Sequence, residues 1–196
     1  IRALQMNDTT RHLPISIDTY SSRVAREAVS AGAVIVNDVS SGTIDASMMK
    51  AVSEMDAGVA YIMMHMRGDP TNMQSKVNTT YDTNKNGTDP HVNTIADVVA
   101  HEMGNKVREA IRQGIEPWRI AIDPGIGFAK DKNQSLTLIQ ELDLFRERLP
   151  ACIFDAPILI GTSRKSFLSS LMARARKEEA RDRDFATVSS VAACIS

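Results

Sequence analysis

The stretch WRIAIDPGIGFAKDK, Trp118–Lys132, joins an apolar run to a glycine-rich turn. Ile120-Ala121-Ile122 is short and continuously apolar, the pattern of a buried strand. It ends on Asp123, and the chain then turns through Pro124-Gly125 and Gly127. A carboxylate at the end of a buried strand is costly to desolvate without a partner. The two glycines permit a positive φ, or close approach of the backbone to a ligand. The stretch therefore describes a strand whose carboxyl end is built to bind something.

Four further runs follow the same pattern: residues 14–18 (PISID), 33–37 (AVIVN), 59–64 (VAYIMM) and 157–161 (PILIG). With RIAID at 119–123 they make five candidate strands, apolar on consecutive positions as in parallel strands buried on both faces. Helical patterns lie between them. Val24, Ala25, Ala28 and Val29 share a face after DTYSS, which offers N-cap residues. Ile95, Val99, Met103, Val107 and Ile111 recur at helical spacing, with Gly114 as the stop. Leu138, Leu142 and Phe145 mark one helix ended by Pro150, and Phe167, Leu168, Leu171 and Met172 another. Phe185 to Ile195 reads as the last. Strands alternating with helices imply right-handed crossovers and a parallel sheet, either a (β/α)8 barrel or an open doubly wound sheet. No G-x-G-x-x-G follows the first strand, which weakens a dinucleotide-binding reading. Residues 68–93 are polar and too long for an ordinary connection, so a mobile loop is expected there. Lys177–Asp184 (KEEARDRD) reads as solvated surface.

Polar groups end all five runs: Asp18; Asn37-Asp38; His65, Arg67 and Gly68 after Met64; Asp123; and Thr162-Ser163-Arg164-Lys165-Ser166 after Gly161. In a parallel barrel these ends converge on one face, where ligands bind. Each has a plainer reading. Asp18 could cap the following helix, and Asn37-Asp38 could be turn residues. His65, with no second His or Cys at ligand spacing, reads as a packing residue, and the nearby methionines as core filler. Thr162 and Ser163 could cap the helix containing Phe167. Arg164 and Lys165 would then oppose the dipole of its first turn, which a bound anion or a carboxylate partner explains better.

Composition narrows the classes. The 196 residues carry a net charge of −1 and 43% hydrophobic side chains, with no basic block suited to nucleic acid. No apolar run is long enough to cross a bilayer, and the first residues lack a signal-peptide pattern. An intracellular protein is expected, cytosolic or mitochondrial. Cys152 and Cys194 have no metal-like spacing and read as small core residues. The sequons at Asn78 and Asn86 read as loop residues.

ISIDTYS, IVNDVSSG, MMHMRGDP, IDPGIGFAK and LIGTSRKSFL together resemble, in order and approximate spacing, the motifs of the dihydropteroate synthase family. The resemblance covers essentially the whole chain and is of eukaryotic, fungal type. DPGIGFAK and GTSRKS are its most specific parts. Asp, Asn and Asp alone are shared with other pterin-binding barrels, such as methyltetrahydrofolate methyltransferases. That leaves a domain presenting methyltetrahydrofolate to a corrinoid partner, or a non-catalytic pterin-binding module, as alternatives.

The resemblance implies a (β/α)8 barrel that condenses 7,8-dihydropterin-6-ylmethyl diphosphate with 4-aminobenzoate to 7,8-dihydropteroate and diphosphate. Sulfonamides would compete with 4-aminobenzoate. Asp123 would accept from the pterin's 2-amino and N3 edge. Asn37 and Asp18 would complete that polar contact, Met64 would pack on the ring, and Gly161 would leave it room. Lys165 would donate to the pterin and supply positive charge, while Phe128, Lys165 and Ser166 would form the 4-aminobenzoate pocket. On this assignment Lys165 and Asp123 carry the catalysis. Mg2+ is implied as cofactor, its asparagine ligand lying in a first strand that this sequence does not show. Five of eight strands are legible, so residues 1–196 read as a partial pterin-binding domain, an internal fragment expected to be inactive alone. A homodimer and fusion to other folate-pathway domains are implied for the complete enzyme.

Overall fold

The computed structural model describes residues 1–81, 83, 94–171 and 180–195. Along the chain run α1 (Arg2–Gln5), β1 (Ser16–Asp18), α2 (Ser22–Ser30), β2 (Ile35–Asp38), α3 (Met48–Ser53), β3 (Ala60–Met64), α4 (Lys76–Thr79), α5 (Ile95–Arg112), β4 (Ile120–Asp123), α6 (Lys132–Gln140), α7 (Leu142–Glu147) and α8 (Asp184–Ile195). The chain divides into two compact units. The first holds Ile1–His65, Met103–Asp123 and Pro150–Leu159; the second holds Met66–Glu102, Pro124–Leu149 and Ile160–Ser196.

The first unit contains the sheet, whose strands pair in parallel in the order β1-β2-β3-β4. The parallel α/β class expected from the alternating pattern is observed. Registers pair Asp18 with Asn37, Asn37 with Ile62, Ile62 with Ala121, and Met64 with Asp123. Paired residues of parallel strands point the same way, and the side-chain period is two. Val36, Asp38, Tyr61, Met63, Ile120 and Ile122 therefore share one face, and all are fully or almost fully buried. The other face carries Asp18, Asn37, Ile62, Met64, Ala121 and Asp123. Burial on both faces holds for Tyr61–Met64, but β1, at the sheet edge, keeps Ser16 and Asp18 exposed.

The fifth expected strand is a single parallel bridge between Ile158 and Ile122, flanked by bonds from Ile122 N to Pro157 O (2.9 Å) and Leu159 N to Ile122 O (2.8 Å). Pro157 has no N–H to extend the ladder. Helix α2 starts at Ser21 without a side-chain cap; the Asp45 carboxylate instead accepts from Ser22 N at 2.7 Å. That backbone bond is the chief cause of a lowered Asp45 pKa. Helix α5 stops where Gly114 takes φ +100°, as its position predicted.

In the second unit a capping box opens α6, with Asp131 accepting from Gln134 N (2.9 Å) and Gln134 accepting from Asp131 N (2.8 Å). The single helix read through Leu138–Phe145 is two, because Glu141 leaves helical backbone at φ −108°, ψ 28°. Ser166–Leu171 forms a 3-10 helix where an α-helix was expected, and Met172 lies outside the described residues. Residues 68–81 are not a loose loop: they form turns and α4, bonded to residues 127–134. The rest of the expected loop, with the Asn86 sequon, falls outside the described residues apart from residue 83, as do residues 177–179 of the charged segment. Cys152 is exposed and Cys194 half-buried, which corrects the core assignment. In the turn Ala151–Ile153 it is Ile153 that is buried.

Candidate active site

At the carboxyl ends of the strands, the first unit builds a polar row. Asp18 is exposed, Asn37 half-buried, and Met64 and Asp123 buried, all on the same sheet face. Pairing continues past the strand ends: Thr19 N donates to Asn37 O (3.0 Å) and His65 N to Asp123 O (2.8 Å). Main-chain atoms of Asn37 and Asp123 are thus held by their neighbours. Asp18 is not the cap of α2, since that position belongs to Ser21.

Asp38 faces the opposite way and is fully buried. Its carboxylate accepts from Ser40 N (2.9 Å), Ser40 Oγ (2.7 Å), Gly42 N (2.7 Å) and Tyr61 OH (2.9 Å). The turn reading suits Asp38, while Asn37 is the residue left facing the rim. Burial, then the Asp38 charge, pushes the Tyr61 hydroxyl well above its usual range, so it stays a donor. Ser41 Oγ donates to Met64 O at 2.8 Å, binding this turn to the end of β3. Arg119, also unforeseen, is buried and donates to Val59 O and Val52 O at 2.8 Å each.

The second unit builds a different feature from DPGIGFAK. Gly125 and Gly127 take φ +69° and +77°, as their spacing suggested, and Ala129 takes +50°. The buried Lys130 ammonium donates to Gly125 O and Phe128 O, each at 3.1 Å. Phe128 is half-buried, and Lys165 Nζ stands 3.9 Å from its ring centroid, a cation–π contact. Gly127, Lys130, Lys165, the exposed Ser166 and Phe167 help line a cavity of about 500 Å³. A Cβ on Gly161 would meet nothing within 4 Å, so space is open beside it. Arg164 has a carboxylate partner, its Nε donating to Asp184 at 2.7 Å, although it precedes the helix instead of lying in its first turn. Ser163 and Thr162 cap no helix, because the 3-10 turn begins at Ser166.

The structure thus gathers the site residues into two sets, one in each unit: Asp18, Asn37, Met64 and Asp123 on the sheet, and Lys165 and Ser166 at the cavity, with Phe128 stacked on Lys165. The first can read a flat ring with clustered donors; the second offers an aromatic face and cations to an aryl acid. Tyr61, Arg119 and Lys130 escaped the sequence reading. Only Lys130 carried a signal, its place within the glycine motif.

Residues 1–196 match the family described as pterin binding enzyme. A mitochondrial folate synthesis bifunctional protein of Arabidopsis thaliana is 44% identical over 99% of this chain, and a folic acid synthesis protein of Pneumocystis carinii is 35% identical over 93%. This chain spans 34% and 22% of those proteins' lengths. Dihydropteroate synthase of Thermus thermophilus, solved with 4-aminobenzoate, superposes with a TM-score of 0.76 at 26% identity, over 95% of this chain and 66% of that one. That likeness puts the four parallel strands in the (β/α)8 class. The chain belongs to the pterin-binding enzyme family.

Proposed function

We propose that the protein acts as a dihydropteroate synthase, joining 7,8-dihydropterin-6-ylmethyl diphosphate to 4-aminobenzoate. The observation that carries the pterin half of this reading is the row of Asp18, Asn37, Met64 and Asp123, delivered to one sheet face by four different strands; the SRKS run at 163–166 favours the synthase over a methyltransferase. The buried Asp123 accepts from the pterin's 2-amino and N3 donors; Asn37 and Asp18 take the remaining polar edge, and Met64 lies against the ring. A site so paired rejects rings that leave its polar groups unbonded. Phe128, Lys165 and Ser166 receive 4-aminobenzoate, Gly161 leaves the pterin ring space, and Lys165 adds positive charge. The C–O bond to diphosphate breaks, the aniline nitrogen forms the new C–N bond, and that nitrogen then loses its proton. The chain's task is to place the nitrogen in line and to match the developing charge.

Magnesium belongs to the proposal as the group that would neutralise the leaving diphosphate. Among the described residues no three His, Cys, Asp or Glu side chains are grouped to hold a metal, so no step here runs through it. The names of the folate synthesis relatives support fusion to other folate-pathway domains. A homodimer and an intracellular site, cytosolic or mitochondrial, complete the reading; among the described residues no helix is long and apolar enough to cross a membrane. The test is to supply the full-length protein with both substrates and follow dihydropteroate by mass. Product formation inhibited by a sulfonamide competitively with 4-aminobenzoate is expected. No product, with binding of methyltetrahydrofolate instead, would replace this reading with the methyltransferase one.

A further inference from the structure

The loop that carries Phe128 is held in an unusual way. Three of its residues, Gly125, Gly127 and Ala129, have positive φ, so no helix or strand bonds its carbonyls, and one backbone turn bond, Phe128 N to Gly125 O at 3.0 Å, lies within it. Alanine in that conformation is strained and persists only where the surroundings impose it. The other holds are side chains. Lys130 takes Gly125 O and Phe128 O. Tyr81 OH donates to Ala129 O at 2.9 Å, and Gln74 Nε2 to Gly127 O at 3.0 Å. The carbonyls on both sides of Phe128 are therefore gripped from the segment that follows β3.

Tyr81 is itself fixed. The Arg67 guanidinium lies 3.9 Å from its ring centroid and donates to Thr80 O at 2.8 Å, while Arg67 also pairs with Glu102. Gln134 Nε2 donates to Thr79 O at 2.7 Å, closing the strap from its far side. The Tyr81 bond is part-buried, and burial raises its hydroxyl pKa, so the donor stays protonated. The Gln74 bond is exposed and is the weaker grip.

We propose that Tyr81, assisted by Gln74, is a positioning residue for the aryl-amine side of the site. It fixes the carbonyl after Phe128, hence the angle of the ring that stacks on Lys165 and would lie against 4-aminobenzoate. The assignment of the ligand rests on the function proposed above; the grip on the loop does not. Neither side chain need touch a substrate.

The test compares Tyr81→Phe, Gln74→Met and the double variant in the full-length protein. Each removes a donor while keeping volume, and melting curves establish that each folds. Hydrogen exchange of the amides 127–130 is expected to quicken about fivefold in Tyr81→Phe and more in the double variant, with the strands unchanged. The KM for 4-aminobenzoate is expected to rise about fivefold, while the KM for the pterin diphosphate moves less than about twofold. Unchanged exchange at 127–130 would overturn the grip itself. Quickened exchange with both KM values rising together, or neither, would overturn the aryl assignment and leave a merely structural strap. A wild-type protein without turnover would remove the proposed function and the aryl assignment with it, while exchange would still decide the grip.

Discussion

Tyr61→Phe isolates the latch beneath the polar row. The substitution removes one oxygen from a fully buried ring and leaves the ring's packing intact, so no cavity term enters. What is lost is a 2.9 Å bond to the buried Asp38 carboxylate. Bonds to charged groups contribute about 1.5–3 kcal/mol. Asp38 keeps its bonds from Ser40 N, Ser40 Oγ and Gly42 N, so the lower part of that range applies, about 2 kcal/mol. For a chain of this size each kcal/mol moves Tm by about 2–4 °C, giving a fall of about 4–8 °C. Asp38→Ala strands the tyrosine hydroxyl and two backbone donors in the core, so its cost should be about twice as large. The assay is urea denaturation of both single variants and the double variant, followed by far-UV circular dichroism. In the double variant the Tyr61 substitution should recover about 1 kcal/mol, since it removes the hydroxyl that Asp38→Ala strands. A Tyr61→Phe protein within about 0.5 kcal/mol of wild type would refute the claim that this bond is strong.

Alkaline titration gives a second check. The Tyr61 hydroxyl ionises near 10.0 in the unfolded chain and well above that when folded, so its contribution is full below pH 10.0 and is lost as pH rises toward the folded value. Stability measured from pH 9 to 11 should fall more steeply in wild type than in Tyr61→Phe; parallel curves would contradict the burial argument. Asp123→Asn exchanges an acceptor oxygen for a donor group facing pterin donors, and should weaken pterin binding about 100-fold by calorimetry, where an unchanged Kd removes Asp123 from the site. Iodoacetamide should alkylate the exposed Cys152 before the half-buried Cys194, whose thiol pKa burial raises; mass spectrometry of timed samples finding the reverse order would contradict their placement.

Consecutive apolar residues closed by Asp18, Asn37, Met64 and Asp123 are a local pattern, and a local pattern suffices for a parallel strand and its carboxyl end. That is why four strands, α2, α5 and α8, and the positive φ of Gly125 and Gly127, were legible without coordinates. The fifth run failed because Pro157 denies the ladder a donor, and whether a neighbour compensates is not a local property. The polar stretch after Gly68 looked structureless because its partners lie some 50 residues on; Gln74 and Gly127 are separated by 53 positions and meet only in the fold. Asp38 and Tyr61 likewise sit 23 positions apart, and nothing in either neighbourhood foretells their bond.

The amino-acid sequence alone determined the family, the strand ends and the residue types offered to a ligand, because periodicity and motif order are properties of neighbours along the chain. The tertiary structure decided which of Asn37 and Asp38 faces the rim, which thiol is exposed, and what holds Phe128 at its angle. Those outcomes depend on hydrogen bonds and burial between distant segments, whose energies exist only once the chain has folded.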